Sequence, residues 1–215
     1  MVNWEYFVLS SYIFPIGIGL ALLFLKRLSF SGGVLWAYLL FTLSVEVVSV
    51  ILAIRGVNNL WLYRIYTYAE LVFPLLFFFN QFSKRRSKAL LLIVFTTAII
   101  LTTLTNIFDN WKDYASVQTS ITFAYIAFVI ISYFVEMFQL EKVFNPFKDI
   151  YFVVGAVLLL AYSATLLYNV LYDYIIQGYF GSGIGSVLHQ VNMGLILFYN
   201  VLYSYGLWIS RHHPT

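Results

Sequence analysis

The sequence predicts an all-α fold, a polytopic bundle of seven transmembrane helices with the N-terminus outside and the C-terminus in the cytoplasm. The 215-residue chain is 62% hydrophobic and only 10% charged, whereas soluble domains average about 25% charged residues. Its apolar residues fall into seven runs, and each run is close to the roughly 20 residues that a helix needs to cross a bilayer. Most of its basic residues lie in every second connection between these runs.

The seven runs predict the limits of the helices within one membrane domain, residues 1–215. The spans lie at about 6–25, 34–55, 60–82, 89–107, 115–138, 150–172 and 186–209. The first span is predicted to be a retained helix rather than a signal peptide, because its basic pair, Lys26 and Arg27, follows the apolar run. The longest predicted connection, about 173–185, is too short for an effector domain, so any signal would pass to a separate polypeptide.

The distribution of basic residues predicts the orientation. With the N-terminus outside, the cytoplasmic segments hold nine of the twelve Lys and Arg residues: Lys26, Arg27, Lys84, Arg85, Arg86, Lys88, Lys142, Lys148 and Arg211. Cytoplasmic loops of membrane proteins carry such an excess. The five tryptophans lie near predicted span ends, where amphipathic rings meet the headgroups. We therefore expect the lipid bilayer as the main partner, and no nucleic acid.

Two carboxylates lie deep inside predicted spans. A charged side chain at the centre of a membrane helix costs about 2.5–3.5 kcal/mol on insertion scales, so such residues usually face the bundle interior and serve a function. Glu46 in the second span and Glu70 in the third lie at similar depths in antiparallel neighbours. The sequence therefore predicts that the two side chains approach each other.

Polar residues at helical spacing extend these positions into stripes, which predict a polar, tyrosine-lined cavity open to the outside. The candidate ligand-binding residues are Glu46, Tyr66, Glu70, Asn169, His189 and Asn192. The alternative is structural pairing, because buried Asn, Tyr and Thr residues also hydrogen-bond neighbouring helices. Arg64, one turn from the outer end of its span, is expected to extend its side chain toward the membrane surface.

The sequence offers little for catalysis. The chain has no cysteine, which excludes thiolate metal sites and cysteine nucleophiles. All lysines lie in predicted loops, so none can anchor retinal, and His189 alone cannot supply the histidine sets of a haem or zinc site. An acid–base enzyme built on the two glutamates would still lack a nucleophile or metal. We expect no enzyme activity, no metal and no cofactor.

The stretch Asn58-Asn59-Leu60-Trp61-Leu62-Tyr63-Arg64-Ile65-Tyr66, followed by Glu70, has the pattern N-N-L-W-x-Y-x-I-Y-x-x-x-E. It resembles a pattern in small bacterial seven-helix membrane proteins whose function is unassigned. The resemblance covers about a fifth of the chain and implies a fold and a multi-pass location in the bacterial inner membrane. The helix count and orientation are also similar to those of the membrane module of bacterial seven-helix receptors.

These observations predict a receptor-like protein that binds a small polar or amphipathic ligand in the outer half of the bundle. It would signal through a separate cytoplasmic or membrane protein. The basic inner loops, chiefly Lys84, Arg85, Arg86 and Lys88, would meet this partner or anionic lipid. A small proton-coupled solute transporter is one alternative, with Glu46 or Glu70 carrying the proton. A purely structural membrane subunit is another.

Overall fold

The structure, a computed structural model, describes residues 4–108, 116–140, 145–176 and 181–211, without the side chains of 4–6, 116, 167–176, 181–186 and 188–189. Throughout these ranges the regular elements are helices. They are α1 (Trp4–Ser11), α2 (Ile13–Phe24), α3 (Phe30–Ile54), α4 (Leu60–Phe78), α5 (Arg85–Phe108), α6 (Ser116–Gln139), α7 (Ile150–Ile176) and α8 (Gly181–Ser210). Two short 3₁₀ turns, Phe79–Gln81 and Pro146–Lys148, follow α4 and precede α7.

The predicted all-helical architecture is confirmed for the described residues, and several of its helices are apolar enough to cross a membrane. Each predicted span contains a helix, and the first is divided at Tyr12 into α1 and α2. Among the described residues, six helices are long and apolar enough to cross a membrane, and the described part of α7 adds a shorter apolar stretch, Ile150–Leu166. The chain is an all-helical, multi-pass membrane protein.

The long connection predicted at about 173–185 is wrong. Helix α7 continues to Ile176 and α8 already begins at Gly181, so the glycines Gly183 and Gly185 lie in the first turns of a helix. Glycine costs a helix about 1 kcal/mol relative to alanine. That cost is small beside several kcal/mol for each backbone group left without a hydrogen bond in hydrocarbon.

The helices form a closed ring with one helix outside it. Helix α3 packs on α4, α4 on α6, α6 on α7 and α7 on α8, while α8 packs on α1 and α2, which contact α3. Helix α5 lies outside the ring, against α4 and α6. Side chains of α3, α4, α7 and α8 that point inward therefore meet in a common interior.

We name the two ends of the bundle by their residues. The N-terminal end is where α1 begins and α3 turns into α4; the basic end is opposite and carries Lys26 and the segment 84–88. Helices α3, α7 and α8 approach closely at the basic end. A Cβ on Gly32 would lie 2.6 Å from Ser210 Oγ, and the hydroxyls of Ser31 and Tyr151 form a hydrogen bond. A larger residue at position 32 would force α3 and α8 apart.

Apolar side chains fill the half of the ring toward the basic end. Leu35, Val154, Leu158 and Leu207 have no exposed surface. Aromatic rings in the same half form a cluster that we call the aromatic floor: Phe73, Phe77, Phe78, Tyr133 and Tyr151. Ring centroids within it lie 5.0–6.3 Å apart for six of its pairs. The floor lies between the polar residues described next and the basic end.

The start of α7 is capped by a local carboxylate. Asp149 Oδ1 accepts from the backbone N–H groups of Tyr151, at 2.8 Å, and Phe152, at 2.9 Å. A negative charge at a helix N-terminus satisfies free N–H donors and complements the helix dipole. Near the same end Trp36 packs on Gly19 and donates from Nε1 to the carbonyl of Ile16 at 3.1 Å.

Candidate functional site

Two stripes of polar side chains on α3 and α4 meet inside the ring. On α3 the stripe is Tyr38, Thr42, Glu46 and Ser49; on α4 it is Asn59, Tyr63, Tyr66 and Glu70. Spacings of three and four residues place each set on one side of its helix. The stripes form two connected groups of hydrogen bonds, one around each glutamate.

The Glu46 group lies nearer the N-terminal end. Tyr63 donates its hydroxyl to Glu46 Oε2 at 3.3 Å, and the same hydroxyl lies 2.9 Å from Ser49 Oγ. Asn59 closes the group by donating Nδ2 to Ser49 Oγ at 2.7 Å and to the Ser49 carbonyl at 3.2 Å. Glu46 therefore has a tyrosine partner from the neighbouring helix, and its surroundings are set by α3 and α4 together.

The Glu70 group lies at the middle of the bundle and joins three helices. Tyr162 of α7 donates to Glu70 Oε1 at 2.6 Å. The Tyr162 hydroxyl is 3.3 Å from that of Tyr38, which is 2.9 Å from that of Tyr66. Thr42 Oγ1 completes the chain at 3.1 Å from the Tyr66 hydroxyl. The Tyr162–Glu70 bond is the shortest of these contacts, so this pair anchors the network.

More tyrosines surround the two groups. Tyr12, at the break between α1 and α2, lies within electrostatic range of Glu46 and Tyr38. Tyr203 of α8 lies within range of Tyr38, Tyr12 and Glu70. Both rings are buried, 7% and 8% exposed. The two carboxylates are thus enclosed by aromatic rings from α1, α3, α4, α7 and α8, and the described residues place no basic side chain in hydrogen-bond contact with either.

The network residues differ in how much surface they leave accessible. Thr42 and Ser49 are buried, at 8% and 3%. Glu46, Tyr66 and Glu70 are only half-buried although they lie between helices. These three side chains therefore keep part of their surface accessible. The arrangement can accept hydrogen bonds at two carboxylates and exchange them along a row of hydroxyls.

The structure brings together three of the six predicted site residues. Glu46, Tyr66 and Glu70 belong to the network just described, although Glu46 and Glu70 sit in separate bonded groups. Asn192 lies on α8 and is half-buried. The side chains of Asn169 and His189 lie outside the described residues, so their part in the site stays a prediction.

Sequence reasoning missed Tyr38 and Tyr12. Tyr38 lies one turn before Thr42 on the predicted stripe, so the helical period contained the signal. Its ring also stacks on Phe73, with centroids 4.2 Å apart, and links the network to the aromatic floor. Tyr12 sits where the first span breaks, and no spacing connects it to the stripes on α3 and α4.

The prediction that Arg64 extends toward the membrane surface is wrong. Arg64 is 1% exposed and donates from Nη1 to Asn106 Oδ1 of α5 at 3.1 Å. Gln118 of α6 donates to the same oxygen at 3.3 Å, and Asn106 Nδ2 donates to the Tyr68 hydroxyl at 3.0 Å. The sequence shows how far Arg64 lies along α4, but it does not show that α5 and α6 cover this side chain. Polar groups thus lie on a second side of α4, away from the ring interior.

A third polar group lies at the basic end. Glu136 of α6 is 5% exposed, and its Oε1 accepts from Ser83 N at 2.6 Å, Ser83 Oγ at 2.6 Å and Lys84 N at 3.1 Å. These donors precede α5, so a carboxylate of one helix caps the N-terminus of another. Glu136 is therefore a buried structural cap for the start of α5.

Comparison with known proteins adds no further identity. The chain matches no protein-family model, no curated protein and no solved structure.

Proposed function

We propose that this chain is a receptor-like seven-helix membrane protein of the bacterial inner membrane, with its N-terminal end outside. It binds a small polar or amphipathic ligand in the polar half of the ring and signals through a separate partner. The observation that carries the proposal is the half-buried Glu46–Tyr66–Glu70 network above a packed aromatic floor. A polar recess with a closed base suits a ligand that enters and leaves by the same end.

The lining favours a ligand that carries a positive charge. Both carboxylates take their described hydrogen bonds from tyrosine hydroxyls, those of Tyr63 and Tyr162. Carboxylates attract an ammonium group directly, and the faces of tyrosine rings attract it through their quadrupoles. We assign Glu46 and Glu70 the charge recognition and Tyr66 a hydrogen bond to the ligand. Asn169, His189 and Asn192 would complete the site from α7 and α8.

Labelling of single cysteines tests the closed recess. The natural chain has no cysteine, so each introduced thiol reports one position. Thr42→Cys and Asn192→Cys probe the polar half, and Tyr133→Cys probes the floor. Asn58→Cys and Arg27→Cys, at exposed positions of the two ends, mark sidedness. A membrane-impermeant maleimide is applied to right-side-out and to inverted vesicles.

The receptor proposal expects Thr42→Cys and Asn192→Cys to react from the same side as Asn58→Cys and from no other. It expects Tyr133→Cys to stay unlabelled from both sides. Failure of Thr42→Cys and Asn192→Cys to react, with Asn58→Cys fully labelled, would contradict the recess. That result would favour a structural subunit whose polar groups only join helices.

A proton-coupled solute transporter is the second candidate. One observation favours it: Glu70 ends an unbroken row of hydroxyls formed by Tyr162, Tyr38, Tyr66 and Thr42. Such a row can pass a proton between a carboxylate and a bound solute. Alternating access requires the floor to open, so Tyr133→Cys would then react from the side of Arg27→Cys. The labelling experiment therefore separates the two candidates.

A further inference from the structure

A groove runs along the outer surface of α5 and α6 near the basic end. It has a volume of about 250 Å³ and contains both polar and apolar lining residues. The polar ones are Lys84, Ser87 and Gln139 at its mouth and Ser132 and Glu136 along its wall. Apolar side chains form the rest of the wall, and three of them, Leu90, Ile131 and Val135, are 49–54% exposed. Because α5 lies outside the ring, this groove opens toward lipid and not toward the candidate ligand site.

The length of the groove matches one leaflet of a bilayer. Its lining on α6 extends from Gln139, the last residue of the helix, back to Phe128. Eleven residues at 1.5 Å each correspond to about 16 Å, and half of a hydrocarbon core is about 15 Å. An extended acyl chain could therefore lie in the groove from the interface to the middle of the membrane.

The mouth of the groove is strongly basic. Lys84, Arg85 and Arg86 are exposed and Lys88 is half-buried, all within five residues of each other. Lys84 Nζ is held over the mouth by a hydrogen bond to Gln139 Oε1 at 3.0 Å. The acidic neighbour, Glu136, directs Oε1 into its cap on Ser83 and Lys84. Within the lining Glu136 offsets the charge of Lys84, and the exposed Arg85 and Arg86 beside the mouth supply the positive charge that complements an anion at headgroup level.

We propose that this groove is a binding site for an anionic phospholipid of the basic-end leaflet. The headgroup phosphate contacts Lys84, Ser87 and the neighbouring arginine Arg86, and one acyl chain follows the apolar wall past Val135 and Ile131. Charge complementarity at the mouth and apolar continuity along the wall together select a lipid. This site is separate from the proposed ligand site, because it uses none of the ring-interior residues.

Native mass spectrometry of the purified full chain tests the site. The probes are phosphatidylglycerol and phosphatidylcholine with identical acyl chains, and glycerol phosphate as a headgroup without chains. We expect retention of one phosphatidylglycerol in preference to phosphatidylcholine, and no retention of glycerol phosphate. Lys84→Gln and Arg86→Gln should each weaken binding about fivefold, the usual loss per basic residue near an anionic surface. Lys84→Gln keeps an amide donor opposite Gln139.

Two further variants separate the groove from general basicity. Ser132→Phe fills the wall without changing charge and should abolish the preferential retention. Lys26→Gln with Arg27→Gln removes two exposed charges at the same end, away from the groove, and should leave retention unchanged. Equal retention of both lipids, equal loss in the control pair, or binding of glycerol phosphate as strongly as the lipid would overturn the proposal. The basic segment would then be left for the protein partner expected from the sequence.

Discussion

The two halves of the ring are built from different chemistry. Toward the N-terminal end, hydroxyls and carboxylates face each other and stay half-buried, as Glu46 and Tyr66 do. Toward the basic end, Leu35, Val154 and Leu207 are fully buried and helices touch through a glycine at position 32. A membrane protein gains little hydrophobic energy from bringing helices together, so close packing and polar contacts must do so. The basic half uses packing, and the polar half uses hydrogen bonds.

This difference suggests which half can change. Packed cores resist deformation because voids cost dispersion contacts. Hydrogen-bonded hydroxyls can exchange partners with a ligand at little cost, since each bond contributes about 0.5–1.5 kcal/mol net. Mutations in the aromatic floor should therefore test this difference between the two halves most directly.

The largest effect is expected at the floor. Phe77→Ala removes a ring that is 2% exposed and should lower the free energy of unfolding by about 3–5 kcal/mol, as buried Phe truncations do. It should also let Tyr133→Cys react with maleimide in the double variant. Unfolding in mixed micelles measures the first effect. Phe14→Ala, at a 64% exposed position, is the matched control and should change stability little; equal losses in both would show that the floor is not a packed layer.

A smaller loss is expected at the junction of α4, α5 and α6. Arg64→Met keeps much of the side-chain volume but removes the charged donor to Asn106, and should cost about 2–3 kcal/mol. The same unfolding assay measures it. Arg55→Met, at an exposed position at the same end, should be nearly neutral. If the two substitutions cost the same, the hydrogen bond from Arg64 would contribute nothing to the junction.

Much of the fold followed from the sequence, because bilayer thickness and backbone hydrogen bonding leave few choices for an apolar run. The stripes on α3 and α4 also placed Glu46, Tyr66 and Glu70 on inward sides, since the helical period fixes direction within one helix. The helical period does not indicate which distant helix covers a given side chain. Tyr162 reaching Glu70, and α5 and α6 enclosing Arg64, depend on the order of helices around the ring.

Within the polar half, the two glutamate groups should contribute different amounts to the free energy of unfolding. Tyr162→Phe removes the 2.6 Å bond to Glu70, whereas Tyr63→Phe removes the 3.3 Å bond to Glu46. We expect a loss of about 1–2 kcal/mol for the first and under about 1 kcal/mol for the second, because the bond to Glu70 is much the shorter of the two. Each variant is the other's control in the unfolding assay. A larger loss for Tyr63→Phe would reverse the assignment of Glu70 as the anchor.

The smallest change in stability, and the sharpest test of the site, is expected for Glu70→Gln and Glu46→Gln. Glutamine keeps the shape and an acceptor oxygen for the tyrosine, so the free energy of unfolding should change by less than about 1 kcal/mol. The negative charge is lost, and with it the attraction for an ammonium group. Phenethylamine and tetramethylammonium should raise the melting temperature of the natural chain, whereas 2-phenylethanol, which lacks the charge, should not. Either Gln variant should remove the shift, while Glu136→Gln, at the basic end, should retain it even if its own cap is weakened. If the shift in melting temperature survives both ring-interior substitutions, the cation binds elsewhere. If 2-phenylethanol stabilises the protein as much as the amine does, aromatic packing selects the ligand without the carboxylates.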